Sequence, residues 1–206
     1  MPLIGPGLRV PVGSVTEIRT GITLRGRDAT RPDLRGSCRL IRIGDISNDG
    51  VLLTNDLMPF EPREAVKDDQ FVKPGDVLFP NRGTRTTALA FDLPEPRVLA
   101  GAQFFVLKPN RNKVLPAYLA WFLRSEPAVQ HFQTRRKGSH VQTIQRHDIA
   151  ELIVPLPSLA IQAKIAAAES LVVQEKLLSE RISQLKAVYR QRCLLSAASH
   201  SRYSVT

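Results

Sequence analysis

The spacing of apolar residues divides the chain into two unlike parts. Up to about residue 157, apolar positions come in short runs between turn residues, the pattern of brief strands and short helices in a mixed α/β domain. Leu40-Ile41-Arg42-Ile43-Gly44-Asp45-Ile46 alternates well enough for a strand with Ile41 and Ile43 on one face. Asn48-Asp49-Gly50 then marks a turn, and Val51-Leu52-Leu53-Thr54 is placed to pair back. A second turn, Lys73-Pro74-Gly75-Asp76, precedes the buried-strand run Val77-Leu78-Phe79, and Ala102 to Leu107 gives a further strand ended by Pro109. Pro116 suits a first helical position, with Tyr118, Leu119, Phe122 and Leu123 on one apolar face. Pro127 restarts a short helix carrying Val129 and Phe132, and a strand around Leu152 to Pro155 closes the domain.

From Ser158, a reasonable N-cap, the pattern becomes helical, and neither Gly nor Pro occurs again. Steps of three and four link Ile161, Lys164, Ala168, Leu171, Glu175, Leu178, Ile182, Leu185 and Tyr189, a heptad register with two charged interruptions. Ile165, Val172 and Val188 widen this stripe. A helix of about 40 residues is roughly 60 Å long, too long to pack wholly on a domain of this size, so a coiled-coil role is expected. The expected organisation is therefore a domain over 1–157, a long helix over 158–198 and a tail over 199–206.

Charge narrows the choice of partner. In 206 residues there are 29 Lys and Arg against 19 Asp and Glu, a net charge of +10, which points to a polyanion. A hydrophobic content of 43% is enough for a real core and excludes a disordered chain. Cys38 and Cys193 stand far apart with no metal-ligand spacing, so neither a disulfide framework nor a zinc site is expected. With no signal-like N-terminus and no apolar run of spanning length, the expectation is a reduced, cytoplasmic protein.

Enzyme motifs are missing. No acidic residue lies two before a Lys, and the phosphate loop, HExxH, GxSxG and the methyltransferase Asn/Asp-Pro-Pro-Tyr/Phe tetrad are all absent. The histidines, His131, His140, His147 and His200, form no triad or ligand pattern and read as surface or DNA-facing groups. No catalytic residue, metal ligand or resident cofactor is expected.

Three polar, basic segments suit duplex DNA instead. The first contributes Thr23, Arg25, Arg27, Arg31 and Arg35; the second Asn81, Arg82, Thr84, Arg85 and Thr86. The third contributes Arg135, Arg136, Lys137, Ser139, His140, Gln142, Thr143, Gln145 and Arg146. Arg reads guanine edges in bidentate fashion, Gln and Asn read adenine, and Ser or Thr hold phosphates or bases. Aromatics do not interleave with these segments, which disfavours stacking on single strands. A coiled-coil assembly protein that binds nucleic acid nonspecifically is the alternative reading.

Taken in order along the chain, these motifs resemble the specificity (S) subunits of type I restriction-modification systems. The similarity rests on Thr20-Gly21-Ile22-Thr23, on Arg42-Ile43-Gly44-Asp45-Ile46 as the family's R-x-x-D-I strand, and on Pro74-Gly75-Asp76-Val77-Leu78-Phe79. It continues through Arg82-Gly83, Pro116-Ala117-Tyr118-Leu119, Lys137-Gly138-Ser139 and Ile144. It ends at Val154-Pro155-Leu156-Pro157-Ser158-Leu159-Ala160-Ile161-Gln162, which is similar to the family's P-L-P-P-L-x-E-Q start of the long helix. Ser158 stands where that pattern has its second proline, and Ile161 where it has an acid.

The resemblance implies an α+β fold: a mixed, curved β-sheet recognition domain with short helices, followed by one long coiled-coil helix. It implies sequence-specific recognition of double-stranded DNA, with catalysis in partner subunits. Those partners are an adenine-N6 methyltransferase, which brings S-adenosylmethionine, and in many systems a translocating nuclease. A usual S subunit has two recognition domains and two long helices, whereas this chain has one of each, as in half-length S proteins or a truncated gene. Self-association through Ile161, Ile165, Ala168, Leu171, Val172, Leu178, Ile182, Leu185 and Tyr189, in antiparallel fashion, is expected to restore two domains and read a palindromic bipartite site.

Overall fold

Residues 8–23, 33–54, 56–62, 64–95, 97–138 and 141–200 are described in the computed structural model of the protein. The elements in chain order are β1 (Arg9–Pro11), β2 (Thr16–Thr20), β3 (Cys38–Ile41), β4 (Met58–Phe60), β5 (Val77–Pro80), β6 (Leu89–Ala90), β7 (Val98–Ala100) and β8 (Phe104–Pro109). Helices α1 (Pro116–Arg124), α2 (Glu126–Gln133) and α3 (Arg146–Ala150) follow, then β9 (Ile153–Pro155) and the long helix α4 (Leu159–His200). The fold is the mixed α+β class expected from the sequence. Its contacts divide into two compact units, Met1–Ala166 and Ala167–Thr206.

The first unit is built on an antiparallel sheet in the order β2-β8-β5-β6. Strands β5 and β8 are apolar on both faces, and their alternation feeds two cores. Val77, Phe79, Phe105 and Leu107 enter one, with Tyr118, Leu119, Phe122 and Leu123 of α1 and Phe132 of α2. Leu78, Phe104 and Val106 enter the other, with Ile41, Ile46, Leu57, Val72 and Val98. A second sheet, β4-β3-β7, supplies part of that second core, its β3–β7 pair being parallel. Beyond it Cys38, Leu40, Met58, Phe60, Phe71 and Leu99 form a third cluster.

The expected strand over Leu40–Ile46 stops at Ile41, and Ile43–Asp45 is a 3-10 turn. The Asp45 carboxylate causes this. It accepts the Arg42 backbone N–H at 2.8 Å and the Arg42 guanidinium at 3.1 and 3.3 Å, offering the chain a local partner in place of a strand. The expected return pairing of Val51–Thr54 reduces to one bridge, Ile46 with Leu52. The helices at Pro116 and Pro127 and the strands at Val77, Phe104 and Ile153 stand where the pattern puts them.

The start of α4 is held by one buried polar side chain. Gln162 is fully buried. Its Oε1 accepts the Leu115 N–H at 2.9 Å, and its Nε2 donates to the carbonyls of Lys113 and Pro157 at 3.0 and 2.9 Å. Three hydrogen bonds thus satisfy the amide and tie the helix to the segment before α1. Ile165, one turn on, packs partly buried on the first core, so it belongs to the domain and not to the open apolar stripe expected of it. Ser158 caps weakly, its Oγ lying 3.4 Å from the Ile161 N–H.

In the second unit the expected stripe is exposed: Leu171 at 66%, Leu178 at 64% and Tyr189 at 70%, with Val172, Ile182, Leu185 and Val188 also open. Ala168 is exposed as well, and Leu194 and Leu195 add apolar surface beyond the expected register. Among the described residues no helix is long and apolar enough to cross a membrane.

Gln162→Ala leaves the Leu115 N–H without its acceptor and two carbonyls without their donor. It is expected to cost about 3 kcal/mol, read as a lowered urea midpoint. Gln174→Ala, on an exposed part of the same helix, should stay within about 0.5 kcal/mol. Equal losses for the two would rule out the clamp.

Candidate nucleic-acid interface

Strand register brings two of the polar segments to one end of the central sheet. The antiparallel pairs set Thr20 opposite Phe105 and Pro80 opposite Phe104. The chain leaving β2 and the chain leaving β5 therefore emerge beside the start of β8. The turn Gly101–Gln103 joins them. Gly21 donates to the Phe104 carbonyl at 2.9 Å and Ile22 to the Ala100 carbonyl at 2.8 Å, while Asn81 donates through its backbone to Gln103 and through Nδ2 to Ala102, both at 2.9 Å. A Cβ on Gly21 would lie 2.2 Å from the Gly101 carbonyl oxygen, so only glycine admits this approach.

The third segment is stitched to the second. Ile144 donates to the Asn81 carbonyl at 2.9 Å and Gly83 to the Gln142 carbonyl at 2.8 Å. Isolated bridges pair Arg82 with Thr143 and Lys137 with Thr143. Thr23, Arg82, Thr84, Lys137 and Gln142 are exposed on these loops, and their side chains make no hydrogen bond with other described residues. Gly101-Ala102-Gln103 is the hub of the edge; Ala102 and Gln103, expected to begin the strand, form a turn, and the strand starts at Phe104. The hub's signal was a glycine immediately before a strong apolar strand.

Several expected contact residues face inward instead. Asn81 is buried, its amide held by Ala102. Arg85 donates to the carbonyls of Ile43 at 3.1 Å and Ile46 at 2.6 Å, and its Nε is buried without a partner among the described residues. Arg136 donates to the carbonyls of Gly83 and, at 3.3 Å, Arg85, and burial lowers its guanidinium from the usual value. Arg135 reaches back to the His131 carbonyl at 3.4 Å. Thr86 is half-buried, and the half-buried Thr143 turns its hydroxyl toward the Lys137 carbonyl at 3.3 Å.

The remaining candidates are scattered. Gln145 and Arg146 open helix α3, where a loop was expected, because the Asp148 carboxylate accepts the Gln145 N–H at 2.7 Å. Arg146 lines a groove with Arg19 and Lys108 on the sheet and Arg111 in the turn after β8. Arg35 is exposed in a turn before β3, whose opposite end, Ile41, pairs with Ala100 beside the hub. The length of β3, about 13 Å, separates it from the loops. His131, expected at the surface, is half-buried against the Phe132 ring with its Nε2 2.7 Å from the Asp148 carbonyl, a clamp between α2 and α3. Arg25, Arg27, Arg31, Ser139 and His140 lie outside the described residues. Among the described residues no three His, Cys, Asp or Glu side chains gather as a metal site.

This architecture has relatives. A family model described as the type I restriction modification DNA specificity domain matches residues 13–187, and the chain belongs to that family. The type I restriction enzyme StySPI specificity subunit of Salmonella potsdam is 27% identical over 201 residues, covering 92% of this chain and 42% of that protein. A solved structure described as showing complex assembly and conformational transition of the type I R-M system matches with a TM-score of 0.67 at 18% identity, over 94% of this chain and 45% of the other. The type I S subunit from M. genitalium matches with a TM-score of 0.56 at 16% identity, over 93% of this chain and 45% of that one. The chain thus spans less than half the length of the relatives it matches.

Arg85→Met is expected to destabilise the domain by about 2 kcal/mol, because two charge-assisted hydrogen bonds to backbone carbonyls are lost. Arg82→Met, on the exposed side of the same loop, should change stability by less than about 0.5 kcal/mol. Urea unfolding of both variants checks the division between inward and outward arginines, and equal effects would contradict it.

Proposed function

We propose that this chain is a non-catalytic recognition subunit that reads a specific sequence in double-stranded DNA. One observation carries the reading: the polar segments after β2 and β5 leave the same end of one sheet, and the basic loop after α2 is hydrogen-bonded to the second of them. Loops on a fixed scaffold suit base readout because they hold side chains in register with base edges. Arg82, Lys137, Gln142, Thr84 and Thr23 are the described candidates for contact, with Gln103 added from the hub. Arg25, Arg27, Arg31, Ser139 and His140 remain candidates from the sequence. Family membership and the relatives' description as specificity subunits support the same role.

The exposed stripe on α4 pairs, in this reading, with the same stripe of a second copy. Two copies in antiparallel arrangement bring two recognition domains to one duplex, under a two-fold axis that demands a palindromic bipartite site. The catalytic partners are an adenine-N6 methyltransferase subunit, which carries S-adenosylmethionine, and a translocating nuclease in systems that restrict. Work on chromosomal or invading DNA puts the complex in the cytoplasm.

Selection from a random duplex pool tests recognition. The 206-residue chain with its methyltransferase is expected to enrich a bipartite inverted repeat and to retain, at raised salt, a gap on the order of a thousandfold over unrelated duplex. Enrichment of nothing, with binding that vanishes as salt rises, would instead mark the nonspecific assembly protein. An enriched but clearly asymmetric site would overturn the two-fold arrangement alone.

Self-association has its own test. Leu178→Asp together with Leu185→Asp should turn a dimer into a monomer by light scattering while leaving the domain's unfolding midpoint unchanged. A wild-type chain that stays monomeric at tens of micromolar would sink this part of the reading.

A further inference from the structure

We propose that Arg136 is a positioning residue that locks the loop after β5 to the loop after α2, so that both present one surface to DNA. The proposal rests on the recognition reading above and assigns a role that direct contact with DNA does not describe. Among the described residues the two loops share no regular ladder: apart from Arg136, the bonds between residues 81–85 and the described part of 137–144 are single backbone contacts and isolated bridges. The guanidinium of Arg136 reaches across this weak seam and donates to the carbonyls of Gly83 and Arg85. Gly83 has φ of +83°, a conformation that other residues rarely adopt, within the stretch whose carbonyls meet that guanidinium. Only a planar fork with several donors spans two carbonyls in this way, and a lysine ammonium does not reproduce it.

The tie continues one step further. Arg85, whose carbonyl Arg136 holds, sends its own guanidinium to the carbonyls of Ile43 and Ile46. Ile43 lies in the turn that Asp45 and Arg42 close on each other. Two arginines in series therefore connect three loops, each reaching the next through its backbone carbonyls. Base contacts tolerate displacements of only about 0.5 Å, so the offset between two reading loops matters as much as the side chains on them. Exposed Arg82 and Lys137 are free to meet phosphate or base, whereas the donors of Arg136 point at protein.

The test compares Arg136→Lys, Arg136→Gln and Arg82→Gln in the full chain with its methyltransferase. It measures affinity for the selected duplex and an unrelated duplex across salt, and amide hydrogen exchange without DNA. Both Arg136 variants should lower the ratio of the two affinities about tenfold or more while leaving the salt slope on unrelated duplex unchanged. Arg82→Gln should instead reduce that slope by about 0.9, the signature of one lost phosphate contact. Exchange at Gly83, Lys137 and Thr143 should quicken together in both Arg136 variants while β5 and β8 stay protected. An Arg136→Lys protein with the full ratio, or an Arg136→Gln protein with a slope reduced by about 0.9, overturns the proposal in favour of a phosphate contact. So does unchanged exchange at all three amides, or lost protection throughout β5 and β8. A wild-type chain with no affinity gap overturns the recognition reading itself, and quickened exchange beside that result shows the failure to lie there and not in the tie.

Discussion

Strands β5 and β8 are buried on both faces except at Lys108, and the rest of the first unit is arranged to satisfy that condition. Phe79, Phe105 and Leu107 require the helices α1 and α2 on one side, and Leu78, Phe104 and Val106 require the second sheet on the other. Edge strands β2 and β6 complete the backbone hydrogen bonding of the pair. Because the strands are antiparallel, the exits of β2 and β5 and the approach to β8 fall at one end of the sheet. The described polar segments after β2 and β5 meet there as a consequence of how the strands pair, with no need for attraction between them.

Net charge favours a polyanionic partner but does not say which cations would meet it. Arg85 and Arg136 count toward the total of +10, yet both bind backbone carbonyls. A half-buried guanidinium that donates to backbone carbonyls of neighbouring loops organises chain that lacks secondary structure, a role suited to its planar fork. Arg82 and Lys137, a few residues away, carry the same charge and remain exposed. The division between cations that bind protein and cations left exposed is therefore local and geometric.

At the other end of the chain, Gln162 does for the helix what those arginines do for the loops. Its amide, fully buried and triply bonded, fixes the first two turns of α4 in the domain. Beyond Ala166 the helix exposes Leu171, Leu178, Ile182 and Leu185. An isolated helix with that much apolar surface calls for a partner.

Apolar spacing together with the punctuation at Pro116, Pro127 and Ser158 determined the long helix, the positions of α1 and α2, and the buried strands at Val77 and Phe104, since each signal is local in the chain. The ordered motifs carried the family, because short turn and strand signatures in sequence survive where overall identity is low. Tertiary structure alone decided which polar residues face out. Asn81 and Arg85 look like contact residues in sequence, but their partners, Ala102, Ile43 and Ile46, lie about twenty and forty residues away. Ile165 widens the heptad stripe in sequence just as Val172 and Val188 do, and only packing against the domain sets it apart. The turn at Ile43–Asp45 and helix α3 escaped notice for the related reason that an aspartate three residues ahead captured a backbone N–H and outweighed weak alternation. Hydrophobic spacing is written locally in the chain, whereas the partner of a polar group is chosen by the fold.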